Sequence, residues 1–209
     1  MNREFGYCTL VPVMFTGIVQ ELGLVRSVQS SALTIELPVS FRERIEIGGS
    51  IAVNGVCLSA REVQTDAFVA DLSKETASRT TLGSLHPGRH VNLELPVSPT
   101  SGLDGHWVLG HVDAIGRVGA LFREGSGWTL IVEFPTRYRR FIAEKGSIGV
   151  EGISLTPYDL DGGSFRCAII PETYESTVLK ERRRGDSVNL EFDILAKYVE
   201  RMMRFVHSD

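Results

Sequence analysis

The chain has 209 residues, of which 43% are hydrophobic and 23% charged, and its formal net charge is −4. This composition supports one large or two ordinary folded domains and lacks the basic surface typical of nucleic-acid binding. No apolar run reaches the ~18 residues of a membrane span. Three cysteines without a Cys-x-x-Cys pair favour a reducing compartment over a disulfide framework or a zinc site.

Residues 1–13, MNREFGYCTLVPV, are predicted to form a loose tail before the first structured element. They contain one Arg and one Glu, and no apolar run long enough for an export signal. Together with the cysteine pattern, this tail predicts a cytoplasmic protein.

From residue 14 onward the chain repeats itself at a nearly constant spacing. NGVCLS at 54–59 matches EGISLT at 151–156 after a shift of 97 positions, and four further blocks share that shift. Upstream, GIVQELGLV at 17–25 matches GHVDAIGRV at 110–118 after a shift of 93, because four extra residues lie in the later loop REGSGW. Ordered blocks over most of the chain indicate an internal duplication.

Each repeat consists of short β-type segments between turn signals. In the first repeat, residues 32–37 and 50–60 are rich in β-forming residues, and their counterparts in the second repeat have the same character. VNLEL and VNLEF alternate apolar and polar residues as half-buried strands do. The sequence therefore predicts an all-β protein with two tandem closed β-barrels, at 14–97 and 98–193.

Residues 194–209 have a different pattern. ILAKYVERMMRFV at 194–206 places apolar side chains on one stripe at helical spacing, and it occurs only once. This C-terminal helix therefore belongs to neither barrel, and its stripe is predicted either to contact another subunit or to cap an open barrel end of its own chain. The stripe consists of Leu195, Tyr198, Val199, Met202, Met203 and Val206.

Hydroxyl and thiol groups occupy matched positions in the two repeats. Alternate strand positions, such as 57 and 59, point to the same face. If that face lines a barrel mouth, each repeat offers a polar site for a heteroaromatic ring with carbonyl and N–H edges; otherwise these are ordinary hydroxyls with partners. The duplication favours binding. The pairs are Ser50 and Ser147, Cys57 and Ser154, Ser59 and Thr156, and Thr76 and Thr173.

The second repeat carries ionisable residues that the first lacks. Singly, each has a structural explanation, as a core histidine, a turn lysine or a helix-capping aspartate. As a group gained by one copy of a binding module, they predict catalysis, since histidine transfers protons readily near neutral pH. When the repeats are aligned, His111 matches Ile18, Lys145 matches Gly48, Glu151 matches Asn54 and Asp193 matches Pro96.

These motifs together resemble the riboflavin synthase family. The matching segments are MFTGIVQ, NGVCL, KET, GHV, KGSIGVEGISLT, IIPET and VNLEFD, in family order from Met14 to the end. The resemblance implies two six-stranded Greek-key barrels, each binding one 6,7-dimethyl-8-ribityllumazine. It also implies a transferase reaction that converts two lumazines into riboflavin and 5-amino-6-ribitylaminouracil, the last step of riboflavin biosynthesis, without a metal or redox cofactor.

The resemblance further implies a homotrimer held by the C-terminal helices, with association with lumazine synthase as a further expected contact. The active site is expected between the N-terminal barrel of one subunit and the C-terminal barrel of its neighbour. By resemblance, His111 and Ser154 handle protons at the methyl group of the donor ring, Cys57 assists at the acceptor ring carbon, and Asp193 orients its neighbours.

The family's ring-binding segments map onto both repeats of this chain. In the first barrel the resemblance gives Phe15, Gly17, Ile18, Val19, Ser50, Cys57, Leu58, Ser59, Asp71, Leu72, Ser73, Lys74, Glu75 and Thr76. In the second barrel it gives Gly110, His111, Val112, Ser154, Leu155, Thr156, Ile170, Pro171, Glu172, Thr173, Tyr174 and Glu175, with Lys145 reaching in from the other subunit.

Some positions depart from the family pattern. Leu109 replaces a small polar residue before GHV and Asp104 replaces a glycine, both near His111; the others are Ser59, Glu151 and Tyr174.

Two other function classes compete with the enzyme. A non-catalytic lumazine- or flavin-binding antenna protein would share the double barrel, and a flavin-binding barrel of the ferredoxin-reductase type would normally precede a nucleotide-binding domain. Because GHV, EGISLT and Asp193 are all present, the enzyme is favoured.

Overall fold

The computed structural model describes residues 13–29, 31–98 and 100–206. Within these ranges each repeat forms a β-sheet, and one long helix follows, which confirms the all-β class and the C-terminal helix. The strands of the first repeat are β1 (Glu21–Gln29), β2 (Ala32–Glu36), β3 (Ser50–Val53), β4 (Val56–Val63), β5 (Ala67–Asp71) and β6 (His90–Glu94).

The first-repeat strands close into a barrel in the order β1-β2-β5-β4-β3-β6, which confirms the six-stranded prediction for this half. Closure pairs every strand on both sides and leaves no exposed edge. Inward-facing residues such as Leu33, Phe68 and Leu93 are fully buried and form the core. Bulges in β1 and β4 add the local bending that a small barrel needs.

The second repeat forms a seven-stranded sheet in the order β10-β9-β13-β7-β8-β12-β11. Its core is built around Leu130, Phe165 and Phe192. The strands are β7 (Ala114–Glu124), β8 (Gly127–Glu133), β9 (Ile148–Val150), β10 (Ile153–Leu155), β11 (Pro157–Tyr158), β12 (Ser164–Ile169) and β13 (Ser187–Phe192).

The seventh strand arises because the counterpart of β4 is split into β10 and β11 at Thr156. In the first repeat, the Ala60 N–H donates to Gly49 O at 2.9 Å and continues the ladder. Pro157 occupies the position of Ala60 and has no N–H to donate. The strand order is otherwise that of the first barrel, with β10 and β11 at the two ends of the sheet in place of β4. The second repeat therefore keeps the predicted barrel order but is open at Thr156, with seven strands instead of a closed ring of six; this sheet is called the second barrel.

A short helix follows the same strand in each repeat. α1 (Lys74–Arg79) follows β5, and α2 (Pro171–Ser176) follows β12. Ser73 caps α1 because its Oγ accepts from the Thr76 N–H at 3.0 Å. These helices lie at the mouths of the barrels, where the candidate pockets open.

The long helix α3 (Ile194–Val206) is attached to the second barrel through its polar side chains. Lys197 Nζ lies 2.6 Å from Asp113 Oδ2, and Arg140 Nε lies 3.1 Å from Glu200 Oε1. Its apolar stripe is exposed, so the stripe does not cap the barrel of its own chain; the side chain of Val206 lies outside the described part. The exposed members are Leu195, Tyr198, Val199, Met202 and Met203.

The two halves pack closely at the tips of two equivalent turns. A Cβ on Gly55 would lie 2.6 Å from Gly152 N, and the reverse holds for Gly152, so only glycine fits at this crossing. Asn92 Nδ2 donates to Glu151 O, and Asn189 Nδ2 donates to Asn54 O, each at 2.9 Å. The packing therefore relates the repeats by an approximate two-fold arrangement.

The polar residues of VNLEL and VNLEF are buried, although their alternation predicted half-exposed strands. Asn92, Glu94, Asn189 and Glu191 are each at most 5% exposed. They are buried because this face of β6 and β13 meets the other half of the chain rather than solvent.

None of the helices in the described ranges has the length and apolarity required to cross a membrane.

Candidate functional site

Each barrel carries a pocket beside the residue pair that the repeats match, Cys57 and Ser154. On the first barrel, a cavity of about 680 Å³ and a neighbouring one of about 260 Å³ share Cys57 and Thr76. The second barrel has a cavity of about 280 Å³ that contains Ser154. Predicted residues that line the first pocket are Cys57, Leu58, Ser59, Asp71, Leu72, Ser73, Glu75 and Thr76. Those of the second are Ser154, Ile170, Glu172 and Thr173.

The segments before β1 and β7 are exchanged between the two pockets. Cys57 N donates to Gly110 O at 2.9 Å, and Ser154 N donates to Gly17 O at 2.7 Å. Residues 110–112 therefore line the first pocket and residues 17–19 line the second. This corrects the sequence-based assignment, which gave each segment to the barrel of its own repeat.

The exchange requires glycine at both crossing points. Gly17 and Gly110 share a φ of 77°, a left-handed conformation that glycine adopts without strain. A Cβ on either residue would lie 2.7 Å from the backbone nitrogen of the opposite half, at Ser154 and Cys57 respectively. The glycines of GIV and GHV thus let one half of the chain contribute backbone to the other half's pocket.

Two buried carboxylates hold the exchanged segments in place. Glu94 accepts from Thr16 N at 2.6 Å, from Thr16 Oγ1 at 2.8 Å and from Gly17 N at 3.0 Å. Burial raises the pKa of Glu94 above its usual value, although these donors oppose the shift. Glu94 was not among the predicted site residues, although VNLEL and VNLEF repeat one glutamate at the same place.

Glu191 performs the same task in the second repeat with backbone donors alone. It accepts from the N–H groups of Leu109, Gly110 and His111 at 2.7, 3.0 and 3.1 Å. Leu109 stands at the position of Thr16 and has no hydroxyl to offer. Burial raises the pKa of Glu191 to about 7, against the backbone donors and nearby Lys197, which lower it.

Cys57 and His111 lie together in the first pocket. The backbone of His111 is fixed by Glu191, and its side chain is exposed beside Cys57. Burial raises the pKa of the Cys57 thiol, while a hydrogen bond with Ser50 lowers it by less. The thiol is therefore protonated near neutral pH, which suits proton relay better than thiolate chemistry.

Ser154 lies in the second pocket and has a histidine partner that the sequence analysis did not select. Its Oγ is 2.7 Å from His106 Nδ1, and His106 is only 7% exposed. His111 and Ser154, assigned by resemblance to one donor ring, line different pockets of a single chain.

Asp193 and Phe15 lie close to the pockets without lining them. Asp193 lies between β13 and α3 and caps α3, since its Oδ1 accepts from Leu195 N at 2.9 Å. Its negative charge raises the pKa of His106, against the larger lowering by burial. Phe15 is fully buried and its backbone pairs with Val108, so it holds the chain crossing rather than a ligand.

Several other predicted residues lie outside the described cavities. Lys145 has a turn conformation with φ of 62°, and its Nζ lies 5.3 Å over the Tyr158 ring. Tyr174 stacks on Trp128 with the ring centroids 3.8 Å apart. The remaining ones are Ser50, Lys74, Leu155, Thr156, Pro171 and Glu175. In the described residues, no three histidine, cysteine or carboxylate side chains are grouped to hold a metal ion.

Comparison with known families places the duplication in a defined group. The model of the lumazine binding domain matches this chain twice, at residues 16–96 and 109–193. Each match covers most of one repeat.

Curated relatives are similar over nearly the whole chain. The riboflavin synthase of Mycobacterium tuberculosis is 45% identical over 199 residues, covering 91% of this chain and 98% of that protein. The riboflavin synthases of Photobacterium phosphoreum and Bacillus subtilis are 37% and 32% identical, with 91% and 93% of this chain covered and 89% and 91% of theirs.

Solved structures share the fold at lower identity. LumP complexed with riboflavin superimposes with a TM-score of 0.80 at 24% identity, covering 86% of this chain and 99% of LumP. LumP complexed with 6,7-dimethyl-8-(1'-D-ribityl) lumazine gives a TM-score of 0.78 at 22% identity, with the same coverage.

Proposed function

Because the chain belongs to the riboflavin synthase family of lumazine-binding domain proteins, we propose that it is a transferase acting on two molecules of 6,7-dimethyl-8-ribityllumazine. One molecule passes a four-carbon unit to the other, which gives riboflavin and 5-amino-6-ribitylaminouracil and ends riboflavin biosynthesis. The observation that carries the proposal is the presence of two equivalent cavities in one chain, of about 260 and 280 Å³, lined by matched residues of a duplicated domain.

Two like pockets suit a reaction between two copies of one substrate. One lumazine serves as donor and the other as acceptor, so the transfer involves no net oxidation and calls for no redox cofactor. Holding both rings in reacting geometry replaces a rare encounter in solution, an effect worth up to ~7–11 kcal/mol of the barrier.

The reaction requires the two pockets to face each other across a subunit boundary. Cys57 and His111 line the first pocket, whereas Ser154 lines the second, and the two cavities are separate in one chain. We therefore place the first pocket of one subunit against the second pocket of its neighbour in a homotrimer. The exposed apolar stripe of α3 supports such an assembly. Association with lumazine synthase and a cytoplasmic location stay predictions from the sequence.

The side chains divide the chemistry as follows. His111 and Ser154, brought together from two subunits, handle protons at the methyl group of the donor ring, which becomes a carbanion. Cys57 assists at the ring carbon of the acceptor, as a protonated thiol that relays a proton. Asp193 orients its neighbours from the end of β13, and Lys145 reaches the pocket of the neighbouring subunit.

The test is to incubate the purified protein with dimethylribityllumazine and follow riboflavin fluorescence. Ser154→Ala and His111→Ala are expected to lower the rate of riboflavin formation roughly 10²-fold or more. Ser126→Ala and His86→Ala, at exposed positions away from both pockets, are the matched controls. Near-normal riboflavin formation by the first two variants, with the trimer intact, would show that their roles are misassigned.

The second candidate is a non-catalytic protein that binds a lumazine or flavin. Such a protein would share the fold of LumP, which has been solved with riboflavin and with 6,7-dimethyl-8-(1'-D-ribityl) lumazine. His111 and Ser154 in matched pockets favour the enzyme. The two are separated by one experiment, because the binding protein would retain the lumazine unchanged over hours whereas the enzyme would convert it to two products.

A further inference from the structure

His106 is a buried histidine held against the second pocket by close backbone packing. The preceding Gly105 passes so near the first repeat that a Cβ there would lie 2.0 Å from Thr16 O and 3.0 Å from Ser154 Cβ. His106 N donates to the same Thr16 O at 3.0 Å. The imidazole is therefore fixed in position, with Nδ1 2.7 Å from Ser154 Oγ.

The second ring nitrogen of His106 has no hydrogen-bond partner within the described chain. Nε2 is fully buried, and leaving such a group unpaired is unfavourable because it has lost its hydrogen bonds to water. A buried unpaired polar atom on a residue that is hydrogen-bonded to a pocket-lining side chain calls for an explanation other than packing. Burial lowers the pKa of His106, so the ring is neutral near pH 7. The nearby charge of Asp193 favours the protonated form, to a smaller extent.

The arrangement is specific to the second pocket. The counterpart of Ser154 in the first repeat is Cys57, whose thiol has the Ser50 hydroxyl as its side-chain partner. The first repeat has Val13 at the position of His106. Among the described residues, Ser154 is hydrogen-bonded to an imidazole, whereas Cys57 lies beside the exposed His111 side chain without such a bond. This difference distinguishes the two pockets, whose rings the reaction must treat differently.

We propose that His106 is a positioning residue that acts through Ser154, which makes the second pocket the donor site. The inference rests on the proposed function. Ser154 Oγ takes a proton from the ring methyl group while its own hydroxyl proton passes to His106 Nδ1. The C–H bond breaks and its electron pair remains on the conjugated ring as a carbanion, an O–H bond forms at Ser154, and an N–H bond forms at His106. Asp193 stabilises the resulting imidazolium, and the same route returns the proton to the product.

The first test replaces His106 by asparagine, whose carboxamide oxygen can accept from Ser154 near the position of Nδ1 but cannot take up a proton. His106→Asn is expected to lower kcat roughly 10²–10⁴-fold, with the Kd for dimethylribityllumazine changed less than about threefold. Deuterium uptake from D2O into the ring methyl group, followed by NMR, is expected to slow by the same factor. His86→Asn is the matched control. If His106→Asn retained kcat and the exchange rate within about threefold, the proposal would be overturned.

The pH dependence separates proton uptake from a merely structural role. The wild-type kcat is expected to fall on the acid side as pH drops through the pKa of His106, below 6.5, because an imidazolium cannot accept the Ser154 proton. The asparagine variant should lose this acid limb. Retention of an identical acid limb by a variant that is folded and binds ligand would argue against the proposal.

A measurement on the unmodified protein covers the case in which the variant does not fold. NMR of protein labelled with ¹⁵N-histidine is expected to show His106 neutral, with its proton on Nε2 and Nδ1 as acceptor. A proton on Nδ1 would overturn the proposal. A wild-type protein that forms no riboflavin would instead refute the proposed function, so the two failures are distinguishable.

Discussion

Asn92 and Asn189 occupy equivalent strand positions and bind the opposite half of the chain through matching pairs of hydrogen bonds. Each donates its side-chain amide to a turn carbonyl, and each accepts from the N–H that begins a 3-10 turn, at Val178 and Thr81 respectively. The exchanged pocket segments depend on this junction, because 17–19 and 110–112 reach the opposite barrel only while the halves stay docked.

We expect Asn189→Ala to destabilise the chain and both pockets together. The substitution leaves Thr81 N and Asn54 O buried without partners, which costs ~1–3 kcal/mol for each group. Urea unfolding at fixed protein concentration measures the loss, and the exposed Gln29→Ala serves as the control. A change in unfolding free energy no larger than that of the control would contradict the proposed importance of the junction.

The buried pair of Glu151 and Arg182 is predicted to be replaceable as a unit but not singly. Glu151→Gln leaves the buried Arg182 charge uncompensated, at an expected cost of ~3–5 kcal/mol. The first repeat has Asn54 and Leu85 at these positions, and Asn54 Oδ1 accepts from Asn92 N as Glu151 Oε1 accepts from Asn189 N. The double variant Glu151→Asn, Arg182→Leu should therefore have a free energy of unfolding within about 1.5 kcal/mol of the wild-type value. A double variant as unstable as the single one would disprove the equivalence.

Glu191 should make stability depend on pH. Burial raises its pKa to about 7, whereas an unperturbed glutamate titrates at 4.5. Between these values the folded chain keeps a proton that the unfolded chain releases, so the unfolding free energy falls as pH rises from about 4.5 to about 7 and levels off above. The expected contribution is at most ~3 kcal/mol. Unfolding of wild type and Glu191→Gln at several pH values measures it, since the difference between them should decline over this window. A constant difference would contradict the shift.

Leu109→Thr should reduce this pH dependence. In the first repeat, the equivalent Thr16 Oγ1 donates to Glu94. The new hydroxyl at position 109 would likewise donate to Glu191, in addition to the backbone N–H of the same residue. Because a hydrogen bond to the carboxylate favours its charged form, the pKa of Glu191 should fall and the pH window should narrow. Leu109→Val, which is smaller but adds no donor, is the control in the same unfolding experiment. Equal pH profiles for the two variants would show that the hydroxyl is not the cause.

The duplicated barrels could be predicted from the sequence, whereas the packing of the repeats against each other could not. Alternating residues and repeated blocks determine which strands are equivalent. They do not determine whether the segment around Gly17 lies on its own barrel or on the other one, because both pockets offer it an equivalent surface. The exchange becomes visible only in the hydrogen bonds to Ser154 and Cys57.

Two chemically important residues were missed for different physical reasons. His106 has a polar partner 48 positions later in the chain, and its first-repeat position is Val13, so neither spacing nor repetition links it to Ser154. Glu191 looked like the exposed half of an alternating strand, because local pattern cannot show that the exposed side of one barrel is covered by the other. The break at position 156 has a local cause, because the proline that follows divides an otherwise predictable strand into β10 and β11.

The last prediction concerns the exposed stripe of α3, which is expected to hold the proposed trimer. Val199→Asp together with Met202→Asp places two like charges at the centre of the stripe, while the polar attachments of the helix, Lys197 and Glu200, are unchanged. Burying such charges unpaired in a subunit contact is strongly unfavourable, so the variant should elute as a monomer in size-exclusion chromatography with light scattering. Because each pocket is built within one chain, it should still bind dimethylribityllumazine, yet form riboflavin at least ~100-fold more slowly. Arg204→Ser, which breaks only an exposed ion pair on the same helix, is the control. Full activity in a monomeric variant would mean that both lumazines react within one chain, and the arrangement across subunits would have to be abandoned.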